Sequence, residues 1–275
     1  MFKLKFINKE NFKRMIQKMK KGVMKKGQVT IFIVVAIVIV AAGLLIYFFY
    51  PKLQTSLGYD SSNPSDYLQQ CLEDEIEEAI EVISPKGGAI DPDLHYLYKG
   101  EKIRYLCYTG EYYATCVMQE AFLQGTIENE ISEYIKKKSQ ECLSDLEDSF
   151  ERKGYSVDLD KGSFNIELLP KRVVASVNGS VSITKAGETQ TYSTMNVIVN
   201  NNLYEFVAIV NSILNWEARY GDAETTLYMT YYRDLKVEKL KQTEGTTIYI
   251  LTDRNTEDKF QFASRSVAWP AGYSK

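Results

Sequence analysis

Three kinds of hydrophobic patterning succeed one another along the chain. Residues 29–50 (VTIFIVVAIVIVAAGLLIYFFY) carry no charge, apolar residues after Asn63 recur every three or four positions, and from Tyr155 they alternate with polar ones. The first pattern predicts a single N-terminal transmembrane helix over 28–50. At about 1.5 Å per residue, the twenty-two uncharged residues reach about 33 Å, enough for a hydrocarbon layer of about 30 Å. Tyr47, Phe48, Phe49 and Tyr50 close the run as an interfacial aromatic belt, and Pro51 stops it. A buried core helix is the alternative for so apolar a run, but its length and its one-sided basic flank speak against that.

Residues 51–63, with Ser, Gly and Asn, read as a linker. Asn63-Pro64-Ser65-Asp66 then supplies an N-cap, a proline at the first helical position and an acid in the first turn. Leu68, Cys71, Leu72, Ile76, Ala79, Ile80 and Ile83 continue as one helical face to about Ser84, where Pro85 and Gly87-Gly88 end the helix. A stripe of Ile127, Ile131, Ile135, Cys142, Leu146 and Phe150 predicts a second helix over 120–152. Between the two, residues 103–117 read as a hairpin turning near Thr109-Gly110.

The alternating segments YSVDL, SFNIELL, RVVASV, SVSITK and TQTYSTMNVIV are short strands, with Asp160-Lys161-Gly162, Asn178-Gly179 and Ala186-Gly187 as turns between them. An amphipathic helix over 202–220 faces Leu203, Phe206, Val207, Val210, Ile213 and Leu214 inward. LKVEKL, TTIYILT and KFQFASRSV then return to strand, with a turn at Asp253-Arg254-Asn255. The fold class is therefore α+β: a membrane helix, then an extracytoplasmic domain of two helices, an antiparallel β-meander, a further helix and C-terminal strands. The expected divisions are a basic segment or leader (1–27), the membrane helix (28–50), the linker (51–63), a helical part with a hairpin (64–153) and a β-rich part (154–275).

Charge adds a direction to this arrangement. Residues 1–26 hold ten Lys/Arg against Glu10, a balance of +9, so with −3 overall the remainder carries −12. The positive-inside rule leaves the head in the cytoplasm against anionic membrane lipid, with 51–275 outside. The body's acidity excludes nucleic acid as its partner, because phosphates are repelled. Within the head, Phe12, Met15, Ile16 and Met19 share a helical face suited to the inner leaflet, and Met24 offers an alternative start.

Four cysteines all follow the apolar run, an even number in a compartment that can be oxidising. Cys71 and Cys142 fall on the inward faces of two predicted helices, and Cys107 and Cys116 on opposite arms of the predicted hairpin. That geometry selects Cys71–Cys142 and Cys107–Cys116 among three connectivities, with buried free thiols as the alternative. A four-cysteine zinc site is disfavoured by the absence of any C-x-x-C. Asp91, Asp93 and His95 offer metal ligands on alternate residues, but a polar turn after Gly87-Gly88, bent at Pro92, is the favoured reading. His95 is the sole histidine, which makes a Ser-His-Asp or Cys-His hydrolase hard to assemble. Asp158, Asp160 and Gly162 mimic part of a calcium loop but read as a turn, and the acids from Glu73 to Glu81 read as a solvated helix face. No phosphate-binding glycine loop occurs, and no cofactor is expected. Asn178-Gly179-Ser180 is a glycosylation sequon at Asn178. Tyr105, Tyr108, Tyr112 and Tyr113 form either a contact surface or half-buried strand packing.

The stretch Lys25-Lys26-Gly27-Gln28-Val29-Thr30, followed by Ile31–Tyr50, resembles the N-termini of archaeal type IV pilin-like proteins. That resemblance implies cleavage by a prepilin peptidase between Gly27 and Gln28. It departs from the family at the fifth mature position, where Phe32 stands in place of the glutamate used in filament assembly. Further along, C-L-x(3)-I-E-E-A-I with Pro85-Lys86-Gly87-Gly88, and Gln140-Glu141-Cys142-Leu143, resemble uncharacterised membrane-anchored surface proteins of small-genome archaea. The expectation is a single-pass, surface-exposed binding or assembly protein rather than an enzyme, self-assembling or holding another surface protein. The alternatives are a processed pilin-like filament subunit or, less favoured, a membrane-tethered hydrolase or metal-dependent enzyme.

Overall fold

The computed structural model describes residues 35–40, 63–160 and 162–268, and the chain divides into two units, 1–59 and 60–275. In the first unit, residues 35–40 are helical and exposed. The rest of the helix expected over 28–50 lies outside the described residues, as does the basic segment. Among the described residues, no helix is long and apolar enough to cross a membrane.

The second unit is α+β and opens with helix α1 (Pro64–Ile83), whose first turn is secured as its sequence predicts. The Asn63 side chain accepts from the backbone N–H of Asp66 at 2.9 Å, satisfying a donor that helix geometry leaves free. Helix α2 (Leu123–Arg152) packs along α1, and the stripe of Ile127, Ile131, Ile135, Cys142, Leu146 and Phe150 is buried. Cys71 and Cys142 meet at this seam as a disulfide, Cα–Cα 6.1 Å.

Between the helices the expected hairpin is rearranged. Strand β1 (His95–Tyr98) pairs antiparallel with β2 (Glu101–Tyr108) through a two-residue turn at Lys99-Gly100. Both turn residues have positive φ, 53° and 95°, the geometry that suits the twist of a tight hairpin. The second arm shrinks to β3 (Val117–Met118). The segment between β2 and β3 is thus a loop, closed by the disulfide Cys107–Cys116, Cα–Cα 5.4 Å.

The alternating segments form β4 (Ser156–Leu159), β5 (Phe164–Leu169), β6 (Arg172–Val177), β7 (Val181–Lys185), β8 (Glu188–Tyr192) and β9 (Asn196–Asn200). They pair antiparallel as β4-β7-β8 and β5-β6-β9. These are the two halves of one three-stranded meander, kinked across its middle. The register shifts by one residue between the halves, as in a β-bulge. Pairing continues through the kink, Asp160 N–H to Ser180 O at 3.1 Å and Asn178 N–H to Ser163 O at 2.9 Å. Of the two expected turns, Asp160 and Gly162 in the first and Asn178-Gly179 in the second are therefore not at hairpin tips. They are the facing kinks, and the reason is close approach. A Cβ on Gly162 would lie 1.7 Å from the Asn178 carbonyl oxygen, and one on Gly179 would lie 2.5 Å from that of Asp160. Ala186-Gly187 is the hairpin turn expected.

Helix α3 (Leu203–Tyr220) is followed by a short helix α4 (Thr226–Tyr231) that the hydrophobic pattern did not announce. Strands β10 (Leu235–Lys241), β11 (Thr246–Asp253) and β12 (Lys259–Arg265) complete the chain's described part. They join the first hairpin in a six-stranded sheet ordered β1-β2-β12-β11-β10, with β3 on β2. Every pairing is antiparallel except β12 with β2, which is parallel and bulged between Ala263 and Ser264. One face of this sheet meets α3. Elsewhere in the sheet a small core of Ile103, Tyr105, Ile248 and Ala263 is covered by the half-buried Tyr96, Tyr98 and Tyr108.

Candidate functional site

The residues proposed from sequence as metal ligands are turned to other tasks. Asp91 pairs with Lys102 at 2.6 Å, and that hydrogen bond and charge hold its carboxyl below the usual carboxylate range. His95 begins β1 with Nδ1 within 2.9 Å of the Pro92 carbonyl and 3.0 Å of the Asp93 carbonyl. Among the described residues, no cluster of His, Cys, Asp or Glu is placed to hold a metal ion. Asn178 is exposed at the kink. Gly27 and Gln28 lie outside the described residues. The tyrosine cluster splits: Tyr105 is buried and bonds Thr246 Oγ1 at 2.7 Å, whereas Tyr112 and Tyr113 stand exposed in the disulfide-closed loop.

A buried polar centre that no sequence motif marked joins α3 to the sheet. Glu217 is 1% exposed. Its Oε1 accepts from the Tyr249 hydroxyl and from the Ala223 N–H, and its Oε2 from Ser264 at 3.0 Å. Burial, and then the neighbouring Glu217 carboxyl, push the Tyr249 phenol far above its ordinary range. Tyr249 and Ser264 are fully buried, so this group ties the helix to β11 and β12 and is closed to substrate.

Two open clefts adjoin at the N-terminal end of α3. The first, about 500 Å³, is walled by Glu77 and Glu81 of α1 and by Glu257 and Asp258 of the β11–β12 turn. Burial, followed by the charges of Glu73, Asp74, Glu81 and Asp258, raises the Glu77 carboxyl. The helix face read as merely solvated therefore meets further acids from a distant turn. The second cleft, about 830 Å³, is aromatic, with Tyr204 of α3 and Tyr231 and Tyr232 at the end of α4.

Phe206 and Thr256 line both clefts, and a chain of polar groups runs between them. Lys171 donates to Asn202 Oδ1 at 3.1 Å, the Asn202 amide donates to Thr256 Oγ1 at 3.2 Å, and Thr256 donates to Asp258 at 2.7 Å. Asn202 is 7% exposed, so the wall between the clefts is built and satisfied rather than incidental. Periodicity places Phe206 in the core but is silent on Tyr231 and Tyr232, which come from the end of α4, and on Glu257, which comes from the β11–β12 turn. The clefts contain aromatic, amide and carboxylate groups suited to holding a ligand. No family model matches the chain, and no curated protein or solved structure is detectably similar to it.

Proposed function

We propose that the chain is a membrane-anchored, surface-exposed protein that works by binding or assembling, with its C-terminal domain outside the cell and its basic head in the cytoplasm. One observation carries this reading: the charge-free run of 29–50 beside a head of +9, joined to an acidic body. The two disulfides support an oxidising location for that body. Fractionation tests it. The full chain should stay with the membrane pellet in alkaline carbonate, enter solution only with detergent, and lose residues beyond the anchor to protease added to whole cells. Release by carbonate alone would overturn the anchor, and protection from external protease would overturn the orientation.

A second reading is a processed pilin-like subunit, favoured by Lys25-Lys26-Gly27-Gln28 directly before the apolar run. An intact mass beginning at Gln28 supports it, and a mass that retains the basic head refutes it.

A further inference from the structure

The outer strands of the kinked meander are guarded unequally. On β9 the Ile198 N–H and carbonyl are taken up by Gln69, and on β5 those of Leu168 are taken up by Glu128 and Gln124. β4 lies against α2. β8 alone of these strands has no cover. Among the described residues, only β7 packs broadly on it, and no side chain is hydrogen-bonded to its backbone. Glu188, Thr189, Gln190 and Thr191 are exposed, on both faces of the strand. Nor does β8 carry the devices that blunt an edge, having no proline, no lysine and no shift in its register with β7.

The hairpin decides which backbone groups of β8 face outward. Lys185 and Glu188 flank the two-residue turn Ala186-Gly187 and so exchange both of their backbone hydrogen bonds. The pairs then alternate. Gln190 and Tyr192 turn their N–H and C=O to β7, whereas Thr189 and Thr191 turn theirs away from it. Both threonine hydroxyls are bonded back to β7, Thr189 to Thr184 at 2.8 Å and Thr191 to Ser182 at 2.9 Å. Those side chains are thus held over the sheet face and leave the edge open.

This edge is complementary to itself. Under a two-fold axis at Gln190, Thr189 of one copy meets Thr191 of the other, and the reverse, giving about four backbone hydrogen bonds in antiparallel pairing. The same register sets Gln190 against Gln190, whose carboxamides both donate and accept, and Glu188 against Tyr192. Glu188 is the strand's only charge, so no like charges meet. A strand of other sequence gains the backbone bonds but not this matched register, and that singles out a second copy.

We propose that the chain pairs with a second copy of itself through β8, joining two β4-β7-β8 sheets into one antiparallel sheet. A five-residue edge does not reach the roughly 1,000 Å² of a lasting interface. The pairing therefore rests on the membrane-anchored reading, which confines the copies to one surface and raises their effective concentration.

The test is disulfide trapping in the full chain, in membranes of the cells that make it, where the native cysteines are already paired. Gln190→Cys puts thiols on residues whose Cα atoms lie about 4.5 Å apart in the proposed pair, within bridging range. Glu188→Cys is the control, because the offset along the strand puts its Cα atoms roughly 14 Å apart, beyond that range. Mild oxidation should give a dimer from Gln190→Cys that reductant dissolves, and none from Glu188→Cys. Adding Thr191→Pro removes an outward N–H that the hairpin does not use, so the dimer should be lost while the unfolding midpoint holds. Thr189→Asp with Thr191→Asp opposes like charges across the pair and should have the same effect without altering the backbone. No dimer from Gln190→Cys, an equal dimer from Glu188→Cys, or a dimer that survives the double threonine change would overturn the pairing. The anchor is judged separately: release of the chain by carbonate overturns that reading, whereas a chain held in the membrane without the dimer overturns the pairing alone.

Discussion

The kinked three-stranded meander and the six-stranded sheet are both secured by polar side chains from helices, at different places and depths. In the meander the contacts lie at strand edges. Gln69 of α1 offers its carboxamide to β9 as another strand would, accepting from the Ile198 N–H and donating to the Ile198 carbonyl, both at 2.8 Å. On the opposite edge, Glu128 of α2 accepts from the Leu168 N–H at 2.9 Å, and Gln124 donates to the Leu168 carbonyl at 3.3 Å. In the larger sheet the contact lies on a face, where Glu217 of α3 meets the hydroxyls of Tyr249 and Ser264. Similar side chains therefore do two jobs. At an edge they close off backbone groups that would otherwise recruit another strand. On a face they complete a buried network in which each missing partner leaves a desolvated group behind. Burial sets the difference in energy.

The comparison can be broken most forcefully at Glu217. Glu217→Ala should cost about 5 kcal/mol, since two hydroxyls and an amide lose their acceptor at about 1–3 kcal/mol each and a cavity opens. Denaturant unfolding would show a loss of that order, and a loss under 2 kcal/mol would mean the network is dispensable. Next comes the seam that holds α1 and α2 at the meander's flanks. Replacing Cys71 and Cys142 by Ser should cost about 4 kcal/mol, against about 2.5 kcal/mol for Cys107 and Cys116, because the first bridge closes a longer loop. Equal effects would show that loop length is not the governing quantity.

The edge contacts should come lower. Glu128→Ala is expected to cost about 2 kcal/mol and Gln69→Ala about 1 kcal/mol, the charged acceptor counting for more. Amide exchange should quicken locally, at Leu168 in the first and Ile198 in the second; a uniform change across the sheet would contradict the capping role. The smallest effect near neutrality is that of pH at Tyr249. Its folded pKa lies above the unfolded phenol's value of about 10. Its contribution is therefore complete below that value and drains away as the pH rises beyond it. Tyr249→Phe should flatten this alkaline decline, which thermal unfolding between neutral and strongly alkaline pH would record.

Local patterning made much of the fold legible. The caps and apolar stripes of α1, α2 and α3 depend on neighbours three or four residues apart, and the structure buries those same faces. The pair Cys71–Cys142 is legible from two inward helix faces, whereas Cys107–Cys116 forms as expected although the hairpin from which it was expected is rearranged into a loop. Less legible were the tight turn at Lys99-Gly100, which lacks the usual Asn-Gly signature, and α4, which has no buried residue to create a pattern. Asn178-Gly179 reads as a hairpin turn because a glycine demanded by close backbone approach looks, in one dimension, like a glycine demanded by a turn.

The sequence by itself determined the charge-free run and its basic flank and the α+β composition of the body, and it favoured the cysteine pairing that the structure shows. These rest on local periodicity and on counting. Tertiary structure alone decided the parallel joining of β12 to β2, the burial of Glu217 against Tyr249, and the placing of Glu77 and Asp258 in the wall of one cleft and of Tyr204 and Tyr231 in the wall of another. Each brings together residues far apart in the chain or on separate elements. Periodicity reports which face of an element turns inward, not which other element it will meet.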